Sequence, residues 1–200
     1  MAAHKTIFIT GGASGIGRSV ALKFGGQGWF VGLADVNEAG MRETAAMLPA
    51  GMSSTHRLDV RDRAAWDQAL ADCARASGGR IEVVFNNAGI PLGGNLTENN
   101  VAEIERCLDI NLKGVLFGAQ AAHPWLKASA PGSCLLNTAS AAGIYGGANI
   151  SVYGATKFGV RCLTEALDAA VLLGDGRLAR LDGFPSIKVV VRTDWSRSKV

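Results

Sequence analysis

The sequence predicts an α/β fold: a parallel sheet with helices packed on both faces, in three layers. Three observations predict it. Short apolar runs alternate with longer stretches whose apolar residues recur every three or four positions. The short runs are almost continuously apolar, as strands buried on both faces are. The first run also leads straight into a glycine-rich turn that opens a helical stretch.

The elements follow in order. KTIFIT (5–10) is β-branched and aromatic, a strand, and Ile16, Val20 and Phe24 after it recur at helical spacing. WFVGLADV (29–36) is the second strand. NEAGMRETAAML (37–48) reads as a helix stopped by Pro49, and SSTHRLDV (53–60) as a weaker strand. Trp66, Ala69, Leu70 and Cys73 form one helical stripe. IEVVFNNAG (81–89) is a buried strand running into a turn. Residues 97–129 form one or two helices, SCLLNTAS (133–140) is a fifth strand, and 150–170 is a long helix. No repeat, linker or low-complexity segment interrupts this order, so the expectation is a single domain over residues 1–200.

Composition excludes several function classes. Apolar residues make up 48% and charged residues 18%, an ordinary globular balance. Net charge is +3 with no run of Lys or Arg, which argues against a nucleic-acid partner. The apolar run in MAAHKTIFIT is too short for a signal peptide or a membrane span, and Ala2 stands where myristoylation needs glycine. A cytoplasmic protein without a membrane partner is expected. Cys73, Cys107, Cys134 and Cys162 are widely spaced among apolar neighbours, so all four read as reduced core thiols. His4, His56 and His123 show no ligand spacing, and no metal site is expected.

TGGASGIG (10–17) joins the first strand to the first helix. Gly11, Gly15 and Gly17 permit a tight turn and let the backbone approach a pyrophosphate seated at the helix N-terminus. The strand-turn-helix context makes this a dinucleotide-binding signal and the fold Rossmann-type, a doubly wound parallel sheet. Asp35 follows Gly17 by 18 residues, at the end of the second strand. That is close to the about 20 expected for a carboxylate that binds ribose hydroxyls. Such a carboxylate repels a 2′-phosphate, and no basic residue occupies 34, 36 or 37, so NAD is favoured over NADP. Arg18 is nearby, and pointing to solvent accounts for it.

TGGASGIG, NNAG (86–89), the Asn of DINLKG (109–114), NTAS (137–140) and YGATK (153–157) occur in the order seen in short-chain dehydrogenases/reductases. The chain resembles that family from about residue 5 to about 170. The resemblance implies that Ser14, Asn87, Ala88 and Gly89 lie against the cofactor and that Asp59 and Val60 meet the adenine. A strand-end turn is the alternative role for Asp59. Ile16 either packs near the nicotinamide or simply joins the core.

Hydride transfer at a carbonyl carbon needs a matched proton transfer at oxygen. A phenol with a reference pKa of about 10 must be lowered to serve near neutrality. A cation one helical turn away does this, and Tyr153 and Lys157 have that spacing. Ser140 lies 13 residues before Tyr153 at the end of the fifth strand, where its hydroxyl could polarise a carbonyl. The resemblance further implies that Lys157 holds the nicotinamide ribose and that Asn111 supports a proton relay. Taken alone, each has a bland reading: a structural pair, a cap, an Asn bonding nearby backbone. Their joint occurrence favours an NAD-dependent oxidoreductase acting on a secondary alcohol or ketone. A nucleotide-binding protein without turnover is the rival, and an epimerase or dehydratase a weaker third.

After about Ala170 the sequence departs from the family pattern. No Pro-Gly turn followed by threonine occurs. FPS (184–186) resembles a fragment of one, on the wrong side of IKVVV (187–191), the candidate sixth strand. Residues 171–200 are therefore read as a divergent tail, from a frameshift, a truncation or an altered reading frame. A natural tail with an insertion is the alternative. The expectation is a sheet lacking the family's last strand and helix. A homodimer through the two long helices (about 105–129 and 150–170) is expected by resemblance, with a tetramer left open.

Overall fold

The computed structural model describes residues 4–130, 132–173 and 187–190, the last four and 168–173 as backbone only. Six strands, β1 (Thr6–Thr10), β2 (Phe30–Asp35), β3 (Ser53–Arg57), β4 (Val83–Asn86), β5 (Cys134–Thr138) and β6 (Ile187–Val190), form one sheet in the order β3-β2-β1-β4-β5-β6. Every pairing is parallel. The chain winds outward from β1 in one direction and then from β4 in the other. The switch between β1 and β4 leaves a crevice at the carboxyl ends of the strands, where ligands of open α/β sheets bind.

Alternation along the strands divides the core in two. Phe8, Val84 and Leu135 pack with Trp66, Leu70 and Cys73 of α3 (Arg63–Ser77) and with Ala122 and Leu126 of α5 (Gly114–Ala128). Ile7, Ile9, Val31, Leu33, Val83 and Phe85 face Ala21 of α1 (Gly15–Gly25) and Met41 of α2 (Glu38–Ala46). Each such large side chain contributes about 1.5–3 kcal/mol by leaving water. The α6 helix (Ser151–Leu173) joins the α3–α5 face, where its Thr164 accepts from the Asn137 side chain at 3.0 Å. Asn37 and Asp62 cap α2 and α3, and Asn100 with Glu103 forms a capping box on α4 (Val101–Leu108), four residues after the expected start at 97.

Two expectations change and one is met. The stretch expected as one or two helices is α4 and α5 joined without a break by a π-helical turn, Asp109–Lys113. Cys73 and Cys107 are buried and Cys134 is half-buried, but Cys162 is exposed on the outer side of α6, so the four are not all core thiols. The candidate sixth strand forms in register beside β5, with Leu135 opposite Ile187 and Thr138 opposite Val190. The remaining tail features, FPS and RTDWSRSKV, lie outside the described residues. Among the described residues there is no seventh strand, no helix long and apolar enough to cross a membrane, and no acid, His or Cys group placed to hold a metal ion.

Candidate active site

The glycine turn is built by close approach. Gly11 (φ 69°) and Gly15 (φ 54°) hold left-handed backbone that a side chain would strain. A Cβ at Gly17 would run into the Gly11 carbonyl, so α1 begins flush against the turn. A Cβ at Gly15 would meet nothing within 4 Å, leaving that side open. No side chain caps α1 and no acid lies in its first turn, so its N-terminal N–H groups stay free for an anion.

Asp35 is held in place by backbone. Its Oδ2 accepts from the Ala13 N–H at 3.1 Å and its Oδ1 from the Asn37 N–H at 3.0 Å. Arg18 does not point to solvent; its guanidinium turns back onto the Ala13 carbonyl and α2. Asp59 forms the strand-end turn that was its alternative role. It lines the cavity, while its carboxylate accepts from the Arg61 N–H, Nε and Nη2 at 3.0, 2.9 and 2.6 Å. Those bonds hold the Asp59 carboxyl below its ordinary value.

The turn after β4 is fastened to β1. Thr10 Oγ1 accepts from the N–H groups of Asn87 and Ala88 at 3.0 and 3.1 Å, and Asn87 Nδ2 donates to the Thr10 carbonyl at 3.0 Å. Buried Asn111, on the π turn, clamps the far end of this segment. Its Oδ1 accepts from the Ile90 N–H and its Nδ2 donates to the Ile90 carbonyl, both at 2.8 Å. The same Nδ2 lies 3.5 Å from Thr156 Oγ1, which donates to the Tyr153 carbonyl at 2.6 Å. π turns inside helices are often found at functional sites.

Lys157 is only 4% exposed. Its Nζ donates to the Thr138 carbonyl at 2.9 Å and sits 5.7 Å from the centre of the Tyr153 ring. Burial pulls this ammonium down to about 8. A Cβ at Gly89 would stand 3.7 Å from that Nζ and 3.2 Å from Asn111 Oδ1, so the three elements converge closely at this position. Ser140 Oγ accepts from the Ala142 N–H at 3.2 Å, capping the 3₁₀ turn Ala141–Gly143, and keeps its own proton to donate. A Cβ at Gly143 would lie 2.7 Å from the Lys157 carbonyl oxygen, so the Ser140 turn packs directly on α6. Thr10, Thr138, Thr156 and Ile90, none of which had been assigned a role from the sequence, are the joints of this assembly.

A cavity of about 420 Å³ opens along the switch crevice. Of the cofactor-side residues expected from the sequence, Gly11, Ser14, Gly15, Ile16, Asp35, Asp59, Val60, Asn87, Ala88 and Gly89 line it, together with Ile90, Arg106 and Ile110. Gly17, Tyr153 and Lys157 are not among its lining residues. The open side of Gly15, the uncapped α1 terminus and an ammonium with one oxygen partner for three protons all suit a dinucleotide.

Fold and cleft together define a protein of the Rossmann type, with its crevice at the strand switch. The chain belongs to the short chain dehydrogenase family, whose profile matches residues 5–172. It is 33% identical over 164 residues to meso-2,3-butanediol dehydrogenase of Serratia marcescens, covering 82% of this chain and 64% of that one. It is 34% identical over 191 residues to a 3-alpha-(or 20-beta)-hydroxysteroid dehydrogenase of Mycobacterium tuberculosis, covering 96% of this chain and 72% of that one. A short chain dehydrogenase/reductase of Burkholderia phymatum, solved in complex with NAD, superposes with a TM-score of 0.85 at 29% identity, over 94% of this chain and 65% of that one. The chain thus spans 64–65% of the length of the Serratia and Burkholderia proteins. The family binds a nicotinamide cofactor.

Proposed function

We propose that this chain is an NAD-dependent oxidoreductase that interconverts a secondary alcohol and a ketone. The observation that carries this reading is the buried Lys157 ammonium, with one acceptor for its three protons and facing the Tyr153 ring at 5.7 Å. The cofactor, when bound, supplies the hydride acceptor or donor. The α1 N-terminus and Gly11–Gly17 hold its pyrophosphate, Asp35 its adenosine ribose, and the Asp59–Val60 edge its adenine. Lys157 donates to the other ribose and, as a cation, favours the Tyr153 phenolate. Tyr153 exchanges the proton with the substrate oxygen, Ser140 donates a hydrogen bond to that oxygen, and Asn111 supports the relay. Asp35, fixed by two backbone donors, disfavours a 2′-phosphate and supports NAD over NADP. Butanediols and hydroxysteroids are secondary alcohols, which supports that substrate class. We further propose a single catalytic domain, a cytoplasmic location and pairing of two copies through α5 and α6, whose Leu116 and Phe158 are exposed.

An NADH absorbance assay over 2,3-butanediol, hydroxysteroids and their ketones tests the reading. Tyr153→Phe should lower kcat by about 10²–10⁴-fold while leaving NAD affinity within a few-fold by calorimetry. Undiminished turnover in that variant, or tighter NADP than NAD binding, refutes it. A nucleotide binder without turnover is the alternative, carried by the departure of the sequence from the family pattern after about Ala170. NAD binding with no turnover across the substrate panel would select that alternative.

A further inference from the structure

We propose that Arg18 is a positioning residue for the cofactor: it ties the glycine turn to α2 and so sets where the Asp35 carboxylate stands. The proposal rests on the dinucleotide reading above. Arg18 is on α1, outside the cavity lining, and its side chain is 26% exposed. Its Nη2 donates to the Ala13 carbonyl at 2.6 Å, to the Gly40 carbonyl at 3.4 Å and to Glu43 Oε2 at 3.0 Å. Its Nε donates to Thr44 Oγ1 at 2.9 Å. One planar fork therefore spans the turn and three residues of α2, which a lysine's point charge cannot reproduce.

The residue it grips is the one that grips Asp35. The Ala13 N–H donates to Asp35 Oδ2, and the other carboxylate oxygen takes the Asn37 N–H at the start of α2. Asn37 also caps α2 by accepting from the Gly40 N–H at 3.0 Å. Gly40 completes the joint. A Cβ there would stand 3.0 Å from both the Ala13 Cβ and the Ala13 carbonyl oxygen, so α2 lies against the turn with no room for a side chain. Thr44, fully buried, also reaches the Gly40 carbonyl at 3.0 Å. Both anchors of Asp35 therefore depend on how α2 sits against the turn, and Arg18 is the charged group that fixes that seating. Its effect falls on the adenosine end of the site and on the choice at the ribose 2′ position.

The test compares the full chain with Arg18→Met and Arg18→Lys. Hydrogen exchange without nucleotide should speed up in Arg18→Met across residues 11–16 and 37–46, with β4 and β5 unchanged. Calorimetry should give Kd values for NAD and for ADP-ribose each raised by about tenfold, the loss of one charge-assisted hydrogen bond or two. Arg18→Lys should recover part of that. The ratio of NADP to NAD Kd should shrink about threefold or more, and KM for NAD should rise more than kcat falls. A lower melting temperature with unchanged Kd values and an unchanged NADP-to-NAD ratio overturns the proposal, as does faster exchange spread evenly over the sheet. Should Arg18→Met fail to fold, Thr44→Val, which removes the Nε acceptor, is held to the same comparison. If the parent chain binds no dinucleotide, the cofactor reading falls on its own, and the exchange pattern still decides whether Arg18 joins the turn to α2.

Discussion

Lys157 is held at a cost that pH reveals. Burial lowers its folded-state value to about 8 from an ordinary 10.5, so between those two values the unfolded chain binds more protons than the folded one. Stability therefore rises with pH across that window, and the full penalty is present below about pH 8. The shift corresponds to about 3 kcal/mol at most. Lys157→Met should flatten the rise and raise stability at pH 7 in the absence of cofactor, as read from urea unfolding at several pH values. A variant with the parental slope would show that another group titrates. The Tyr153–Lys157 spacing was legible in the sequence because one helical turn is a local property. The depth of Lys157 was not, because it depends on Thr138 at the end of β5 and Gly89 in the turn after β4. Arg18 was misread for the same reason: its partners at Gly40 and Thr44 belong to a helix whose docking no local pattern records.

The strands were the easiest elements to read, since continuous apolar runs such as TIFIT and VVF mark burial on both sides. The π turn at Asp109–Lys113 was invisible. Ile104, Leu108, Leu112 and Leu116 keep a plausible helical spacing straight through it, and the added residue shows itself only in where Asn111 ends up. The contact between the 3₁₀ turn and α6 is likewise set by backbone approach, and it can be tested. In Gly143→Ala the new methyl would lie 2.7 Å from the Lys157 carbonyl oxygen and 2.9 Å from its carbon, so the Ser140 turn must move off α6. Displacing a substrate-orienting group by about 1 Å costs on the order of 10² in rate. Gly143→Ala should lose about that much kcat while NAD affinity changes less than threefold, because the glycine turn and Asp35 are remote from it. An equal loss in NAD affinity would mean that the turn supports the whole cleft and not Ser140 in particular.

At the scale of the whole molecule the described residues cover the two sheet faces unequally, and the cysteines report it. On one face α3, α5 and α6 lie over the sheet, and Cys73 is sealed there against Gly32, where a Cβ would collide with its sulfur. Burial raises the Cys73 thiol to about 12 and also raises that of Cys107, beside Asn111. On the other face α1 and α2 cover β1, β2 and part of β4, while Cys134 and Leu136 of β5 are only half-buried. Sequence could not separate these thiols, since all four have apolar neighbours and differ only in what the topology stacks above them. Reaction rate follows thiolate fraction and access. A disulfide reagent on the native protein should therefore modify Cys134 well before Cys73 and Cys107, which stay untouched until urea unfolds the chain, and Cys162, one turn from Phe158 on α6, fastest once dilution parts the copies. Peptide mass spectrometry at successive times gives the order. If Cys134 stays as protected as Cys73, the second face is covered over β5 as fully as the first, in solution or by a second copy. Dilution through the dimer range then separates those two covers, because only a partner's cover is lost when the copies part.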